Sequence, residues 1–263
     1  MRVTIFGGNG FIGSNLRNYF SAKRYDVIAP RKHEYHLLPK DLGHVIYAIG
    51  MTGDFKKYPF ETVNAHVTLL SDLLKSFNYK SWLYLSSTRV YKDTIFDTHE
   101  DCKLVASTSC DGIYNLSKLL GESLCLSIEN SNVKVVRLSN VYGLNQHSNS
   151  FLGSLINKLK LNEEFLITDT MDSSKDYISL LDVTDLVPKI IFSGTKRIYN
   201  LASGQNTTHK ELLELLNKKR SNKISFSRNG TPNISPLINI DRIKSEFSFN
   251  PKGLDSTIFK LIT

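Results

Sequence analysis

Within this 263-residue chain, Tyr114-Asn115-Leu116-Ser117-Lys118 sets a phenol and an ammonium four residues apart, on one face of a helix and one turn from each other. A cation beside a phenol stabilises phenolate and lowers its pKa, which suits a general acid–base working between a carbonyl and an alcohol. Upstream, Ser86-Ser87-Thr88 closes an apolar run and offers further hydroxyls. Gly7-Gly8-Asn9-Gly10-Phe11-Ile12-Gly13 follows a short apolar run at the N-terminus and fits GxGxxG from Gly8 and GxxGxxG from Gly7. The loop is legible in both registers, the second resting on Gly7, Gly10 and Gly13. Glycines there let the backbone approach a pyrophosphate, and the N–H groups of a helix opening at Phe11 and Ile12 meet its charge. A dinucleotide site is therefore expected at the start of the chain. The next strand normally ends in a carboxylate that bonds the adenosine ribose of NAD. Here it ends Ala29-Pro30-Arg31-Lys32, and two cations favour a ribose 2′-phosphate, hence NADP over NAD.

These residues need a frame that brings Gly10, Ser87 and Tyr114 together. Runs at Arg2 to Phe6, Asp26 to Ala29, His44 to Ile49, Trp82 to Ser86 and Lys134 to Leu138 read as strands. Helical patterns separate them at Phe11 to Lys23, Pro59 to Phe77 and Asp111 to Ser127. The alternation predicts an α/β fold, a Rossmann-type doubly wound parallel sheet with crossover helices. Residues 1–145 would form the dinucleotide-binding domain carrying the Tyr114/Lys118 helix. Residues 146–263, with shorter elements between Gly, Asn, Ser and Pro, would form a smaller substrate-binding region that partly returns to the sheet. Leu116, Leu119, Leu120, Leu124 and Leu126 surround the last helix, so a second face besides the sheet-facing one should be covered, which predicts a homodimer.

The net charge of +8, from 33 basic and 25 acidic residues, favours phosphorylated small molecules as partners. The lysines are scattered, and Lys218-Lys219-Arg220 falls at the end of a predicted helix, where cations meet the negative end of the dipole, so no nucleic-acid partner is expected. Neither terminus carries an apolar run long enough to cross a bilayer, and Met1 opens directly onto the first strand, so a cytoplasmic protein without membrane insertion is expected. Cys102, Cys110 and Cys125 lack metal-ligand spacing and read as reduced thiols, with no metal implied.

Taken in order, the motifs resemble the extended short-chain dehydrogenase/reductase family, in particular its nucleotide-sugar epimerase, dehydratase and reductase branch. The resemblance is carried by the glycine loop, Val63-Asn64-Ala65, Leu85-Ser86-Ser87-Thr88-Arg89-Val90-Tyr91 and the Tyr114/Lys118 pair. It continues through Arg137-Leu138-Ser139-Asn140-Val141-Tyr142-Gly143, Lys175-Asp176-Tyr177-Ile178 and Tyr199-Asn200-Leu201-Ala202-Ser203-Gly204, and so spans nearly the whole chain. It implies that Tyr114 is the acid–base and that Lys118 tunes it and holds the nicotinamide ribose. Ser87, with Thr88 as the alternative, would hydrogen-bond the reacting oxygen, and Asn64 would stand beside the cofactor. Asn140, and Asn149 or Ser150, would contact a nucleotide diphosphate sugar. Lys175 stands where the family usually has arginine, so its phosphate contact would be monodentate.

Departures from the family narrow the reaction. The 4,6-dehydratases carry Asp-Glu after the catalytic hydroxyl residue because elimination needs an extra acid and base; this chain has Thr88-Arg89, which argues against dehydration. Arg89 is left as either a substrate-phosphate contact or a surface residue. The usual acidic motif beside the adenine is absent, the stretch before His44 is short enough to lack a strand, and the C-terminal region is small. Cys110 and His147 read as loop residues rather than as a proton-shuttling pair. The leading expectation is an NADP-dependent reductase of a nucleotide-linked 4-keto sugar. The alternatives are a 4-epimerase on tightly held NAD, and a non-catalytic cofactor-sensing or scaffold protein, which would be expected to have lost Tyr114 or Lys118.

Overall fold

A computed structural model of the chain describes residues 1–94, 97–144, 146, 150–161, 163–167, 169–217, 224–226 and 231–258. The first half alternates as β1 (Arg2–Phe6), α1 (Phe11–Ala22), β2 (Asp26–Ile28), a 3-10 turn (Lys32–Leu37), β3 (His44–Tyr47) and α2 (Pro59–Val63). α2 runs through a π-helical stretch (Asn64–Thr68) into α3 (Leu69–Ser76), followed by β4 (Ser81–Ser87), a 3-10 turn (Thr88–Tyr91), α4 (Gly112–Ser127) and β5 (Val133–Leu138). Then come β6 (Asn140–Tyr142), α5 (Phe151–Leu161), β7 (Phe165–Ile167), β8 (Ser174–Ser179), α6 (Leu180–Ser193) and β9 (Ile198–Leu201). The chain continues through β10 (Asn206–Thr208), α7 (His209–Asn217), β11 (Ile224–Phe226), α8 (Asp241–Phe247) and α9 (Leu254–Ile258).

Among the described residues, six strands form one sheet in the order β2-β1-β3-β4-β5-β9, with every pairing parallel. Both faces are covered, which is why these strands read as continuous apolar runs rather than alternating ones. Along β3, Ile46 enters the core packed by Leu16 and Phe20 of α1 and by Leu186 and Ile190 of α6. Its neighbours Val45 and Tyr47 enter the opposite core with Leu70 and Leu73 of α3 and Cys125 of α4. The fold is the Rossmann-type α/β architecture that the alternation predicts.

Two features of the sheet lie beyond the five strands read from the sequence. Its sixth strand, β9, comes from far down the chain and pairs with β5, while α6 packs on α1 and β4. At the other edge β2 ends the sheet, and the short segment after it folds as a 3-10 turn instead of a further strand. The remaining strands form two small sheets, β10-β8-β6 and β11-β7, over a separate cluster that includes Leu155, Leu159, Tyr177 and Leu212.

α4 is turned in an unusual sense. Its buried side holds Tyr114, Asn115, Ser117, Lys118 and Glu122, while Leu116 and Leu120 face solvent. Gly121 permits this approach: a Cβ there would lie 2.6 Å from Tyr84 Oη and 2.7 Å from the His66 carbonyl oxygen.

Candidate active site

The glycine loop is built by contacts that only glycine allows. Gly7 adopts φ +81°, and a Cβ on it would lie 2.8 Å from the Ala48 carbonyl carbon at the end of β3. Gly10 N–H donates to the Gly7 carbonyl at 2.9 Å, closing the turn. A Cβ on Gly13, in the first turn of α1, would lie 2.2 Å from that same carbonyl oxygen. Gly10, Phe11, Ile12 and Gly13 then line a cleft of about 590 Å³, a size usual for small-molecule sites. The cleft continues past the loop after β3 and the C-terminal end of β4, reaches Tyr114 and Lys118 on α4, and ends against β8 and the segment around Ser235.

At its centre Tyr114 is 3% exposed. Burial pushes its phenol pKa up, and a hydrogen bond with Ser87 and the charge of Arg89 pull against that rise. Arg89 places its guanidinium 5.3 Å from the Tyr114 ring centroid and 4.6 Å from that of Phe55. Lys118 donates to the Leu85 carbonyl at 2.9 Å and lies 4.9 Å from the Tyr84 ring centroid. Burial pushes its pKa down to about 7, with Glu122 opposing. The charge that bears on the Tyr114 phenol here is that of Arg89, while the Lys118 ammonium is bonded to the Leu85 carbonyl on β4. Ser87 and Thr88 both line the cleft, and Ser87 Oγ also accepts the Arg89 N–H at 3.2 Å.

Beneath Tyr114 and Ser87 runs a buried polar lattice. Glu122 accepts the Ser86 hydroxyl and a fork of hydrogen bonds from Arg137, the shortest of them 2.7 Å. Arg137 Nη1 donates to Tyr91 Oη at 2.6 Å, and Tyr91 donates to Asn200 Oδ1 at 2.8 Å. This lattice ties β4, α4, β5 and β9 together behind the cleft. Sequence reasoning gave no role to Glu122 or to the fully buried His66. The available signal was a charge or an imidazole at a position whose helical neighbours are apolar.

At the far end, Asn140 donates to the Asp176 carbonyl at 2.8 Å, and Ser150 Oγ accepts from Gln146 at 2.6 Å. Lys175 is half-buried and lies 4.8 Å from the Phe151 ring centroid; burial lowers its pKa, with Asp169 opposing. Asn140, Ser150 and Lys175 all line the cleft, and Arg89 and Lys92 line it as well. Asn149 and His147 lie outside the described residues, as do Lys218, Lys219 and Arg220.

Other sequence candidates are not brought to the wall of the cleft. Arg31 and Lys32 are exposed at the start of the 3-10 turn, where the Arg31 N–H donates to the Glu34 carboxylate at 2.6 Å. They follow Ala29, against which Gly8 is pressed, so they stand beside the glycine loop. Asn64 is exposed on the π-helical stretch, whose buried side is taken by Ala65 and His66. Cys110 is exposed in the turn before α4. No helix among the described residues is long and apolar enough to cross a membrane.

A model of the NAD dependent epimerase/dehydratase family matches residues 3–202. The chain is similar to the GDP-6-deoxy-D-mannose reductase of Pseudomonas aeruginosa, with 28% identity over 243 residues that cover 82% of this chain and 79% of the relative. It is also 28% identical over 213 residues to the dTDP-4-dehydro-6-deoxyglucose reductase of Escherichia coli, covering 77% of this chain and 66% of that protein. Solved structures share its fold, two of them as follows. RMD from Pseudomonas aeruginosa complexed with NADPH superposes with a TM-score of 0.81 at 22% identity, covering 100% of this chain and 98% of that one. UDP-glucuronic acid 4-epimerase from Bacillus cereus in complex with UDP-glucuronic acid and NAD superposes with a TM-score of 0.83 at 16% identity, covering 98% and 97%.

Proposed function

The chain belongs to the NAD dependent epimerase/dehydratase family, and from that premise we propose that it reduces the keto group of a nucleotide-linked 4-keto sugar with NADPH. The observation that carries the reading is the grouping of Tyr114, Ser87 and Arg89 in one cleft with the glycine loop, with Thr88 and Arg89 standing in place of the acid–base pair that dehydration needs. The likeness to two nucleotide-sugar reductases supports the same reading.

The cleft fits a dinucleotide because its glycine cradle leaves no room for a Cβ at Gly13 and opens onto the free N–H groups of α1. A bound reduced dinucleotide supplies the hydride. Ser87 and Tyr114 hold the carbonyl oxygen of the sugar, and Tyr114 Oη delivers the proton that makes it a hydroxyl. Lys118 holds the nicotinamide ribose, and its ammonium adds positive charge at that end of the cleft. Arg89, Lys92 and Lys175 supply the cations that a sugar diphosphate needs, with Asn140 and Ser150 as neutral contacts beside them. Arg31 and Lys32, exposed beside the glycine loop, receive the 2′-phosphate of NADP. In this reading residues 1–145 hold the cofactor, residues 146–263 close over the sugar nucleotide, and the protein works in the cytoplasm.

The alternative is a 4-epimerase that retains NAD, in which the Glu34 carboxylate would have to give up its bond from the Arg31 N–H to meet the adenosine ribose. Purified protein mixed with NADPH and a panel of nucleotide-linked 4-keto-6-deoxy sugars separates the two. The reductase consumes the reduced cofactor with at least one member. No turnover, together with NAD released on denaturing the preparation, moves the assignment to the epimerase.

The exposed apolar residues of α2 and α4 are read as a homodimer face. Phe60 is 85% exposed and Leu120 51%, Leu116 is also open to solvent, and α2 packs directly against α4, so a two-fold contact would bury them together.

A further inference from the structure

His66 is fully buried in the π-helical stretch, and both of its ring nitrogens are engaged. The Met51 N–H donates to Nε2 at 3.2 Å, so Nε2 carries the lone pair. A neutral imidazole then holds its proton on Nδ1, which donates to Ser117 Oγ at 2.8 Å. Ser117 Oγ–H donates in turn to the Tyr114 carbonyl at 3.0 Å. All three bonds point the same way, from the loop after β3 to the first turn of α4, an arrangement in which each bond polarises the next.

Protonation would break this relay, because Nε2 would lose its capacity to accept. Burial and the adjacent Lys118 hold the imidazole pKa down to about 2, so the ring stays neutral under working conditions. The groups that face it are Lys118 and Tyr114 from α4, the Tyr114 ring standing edge-on with its centroid 5.3 Å away. On the loop side, a Cβ on Gly50 would lie 3.5 Å from both His66 Nε2 and Lys118 Nζ, so the loop, the imidazole and the ammonium meet at one point. Ala48, Ile49, Gly50 and Thr52 of that loop line the cleft.

We propose that His66 is a positioning residue that pins the loop of residues 48–52 to α4, so that the cofactor-side wall of the cleft and the Tyr114/Lys118 pair are held as one body. The inference rests on the dinucleotide reading of the cleft. It gives His66 a part in cofactor binding although it stands outside the lining itself.

The experiment is a fluorescence titration with NADPH on the wild-type chain, His66→Leu, His66→Gln and Ser117→Ala, with hydrogen–deuterium exchange followed at residues 48–52. Leucine keeps the bulk but neither polar group. Glutamine offers a carbonyl oxygen to the Met51 N–H and an amide N–H to Ser117 Oγ. His66→Leu is expected to weaken NADPH binding about tenfold and speed exchange in the loop, and His66→Gln to return affinity to within about threefold of wild type. Ser117→Ala should weaken binding alone but add nothing in the His66→Leu background, where the link is already cut. The inference is overturned if folded His66→Leu binds NADPH as the wild type does, or if glutamine rescues nothing. Should His66→Leu not fold, unchanged affinity and unchanged loop exchange in Ser117→Ala overturn it instead. A wild-type chain that binds neither NADPH nor NAD overturns the dinucleotide reading, and the role of His66 with it.

Discussion

At the scale of single residues, the two cations near Tyr114 have different work to do. Arg89 lies over the phenol ring, and Lys118 points at the Leu85 carbonyl. Replacing Arg89 with methionine keeps the packing on Phe55 and removes the charge, so the phenol becomes a poorer proton relay. The expected outcome is a fall in kcat of about tenfold with KM for NADPH unchanged. A rise in the sugar-nucleotide KM should accompany it, because Arg89 is also one of the cations that meet the diphosphate, and a rise in that KM with kcat unchanged would leave Arg89 the phosphate role alone. Lys118 is the group expected to set the pH dependence of cofactor use. Its pKa in the free protein is lowered to about 7, so it is cationic below that value and neutral above it. As pH rises through 7 the charge that meets an anionic cofactor is lost, and kcat/KM for NADPH should fall with a one-proton slope. Bound phosphates favour the cation, so the same limb in kcat should lie at higher pH. Lys118→Arg, which keeps its charge, should lose the limb even if it is slower.

At the scale of elements, the turn from β1 into α1 and the lattice behind β4 make the sharpest demands. A Cβ on Gly13 would lie 2.2 Å from the Gly7 carbonyl oxygen, whereas one on Gly10 would lie 3.3 Å from it. Gly13→Ala must therefore displace backbone, at a cost of about 1–3 kcal/mol. NADPH titration should show it losing binding while Gly10→Ala retains more. Behind β4, Glu122 and Arg137 are both 3% exposed or less and bond as an ion pair at 2.7 Å. Breaking such a pair leaves a buried charge uncompensated, so Glu122→Ala should lower stability by about 3–5 kcal/mol in urea unfolding. That loss should be accompanied by disorder at Ser86, whose hydroxyl has no other bond among those that hold β4 to α4.

At the scale of the whole molecule, the outward apolar side of α4 and the inward polar side are one design. Tyr114, Lys118 and Glu122 occupy the face against the sheet, which leaves Leu116 and Leu120 on the other. Leu120→Glu should convert a dimer to a monomer by light scattering while leaving NADPH binding within about threefold, since Leu120 does not line the cleft. A wild-type mass equal to one chain would remove the dimer proposal. The glycine loop, the five strands β1 to β5 and the spacing of Tyr114 and Lys118 are legible in the sequence because each depends on residues a few positions apart, through turn geometry or the period of a strand or helix. The identity and edge of the sixth strand, the exposure of Asn64, the placing of Arg89 as the cation over the phenol and the seat of His66 were decided only by the tertiary structure. They depend on which side chains meet across 25 to more than 60 residues of chain, as in β5 against β9 and His66 against Ser117. Local spacing carries no record of such meetings, because packing selects among rotamers and neighbours only when the sheet has closed.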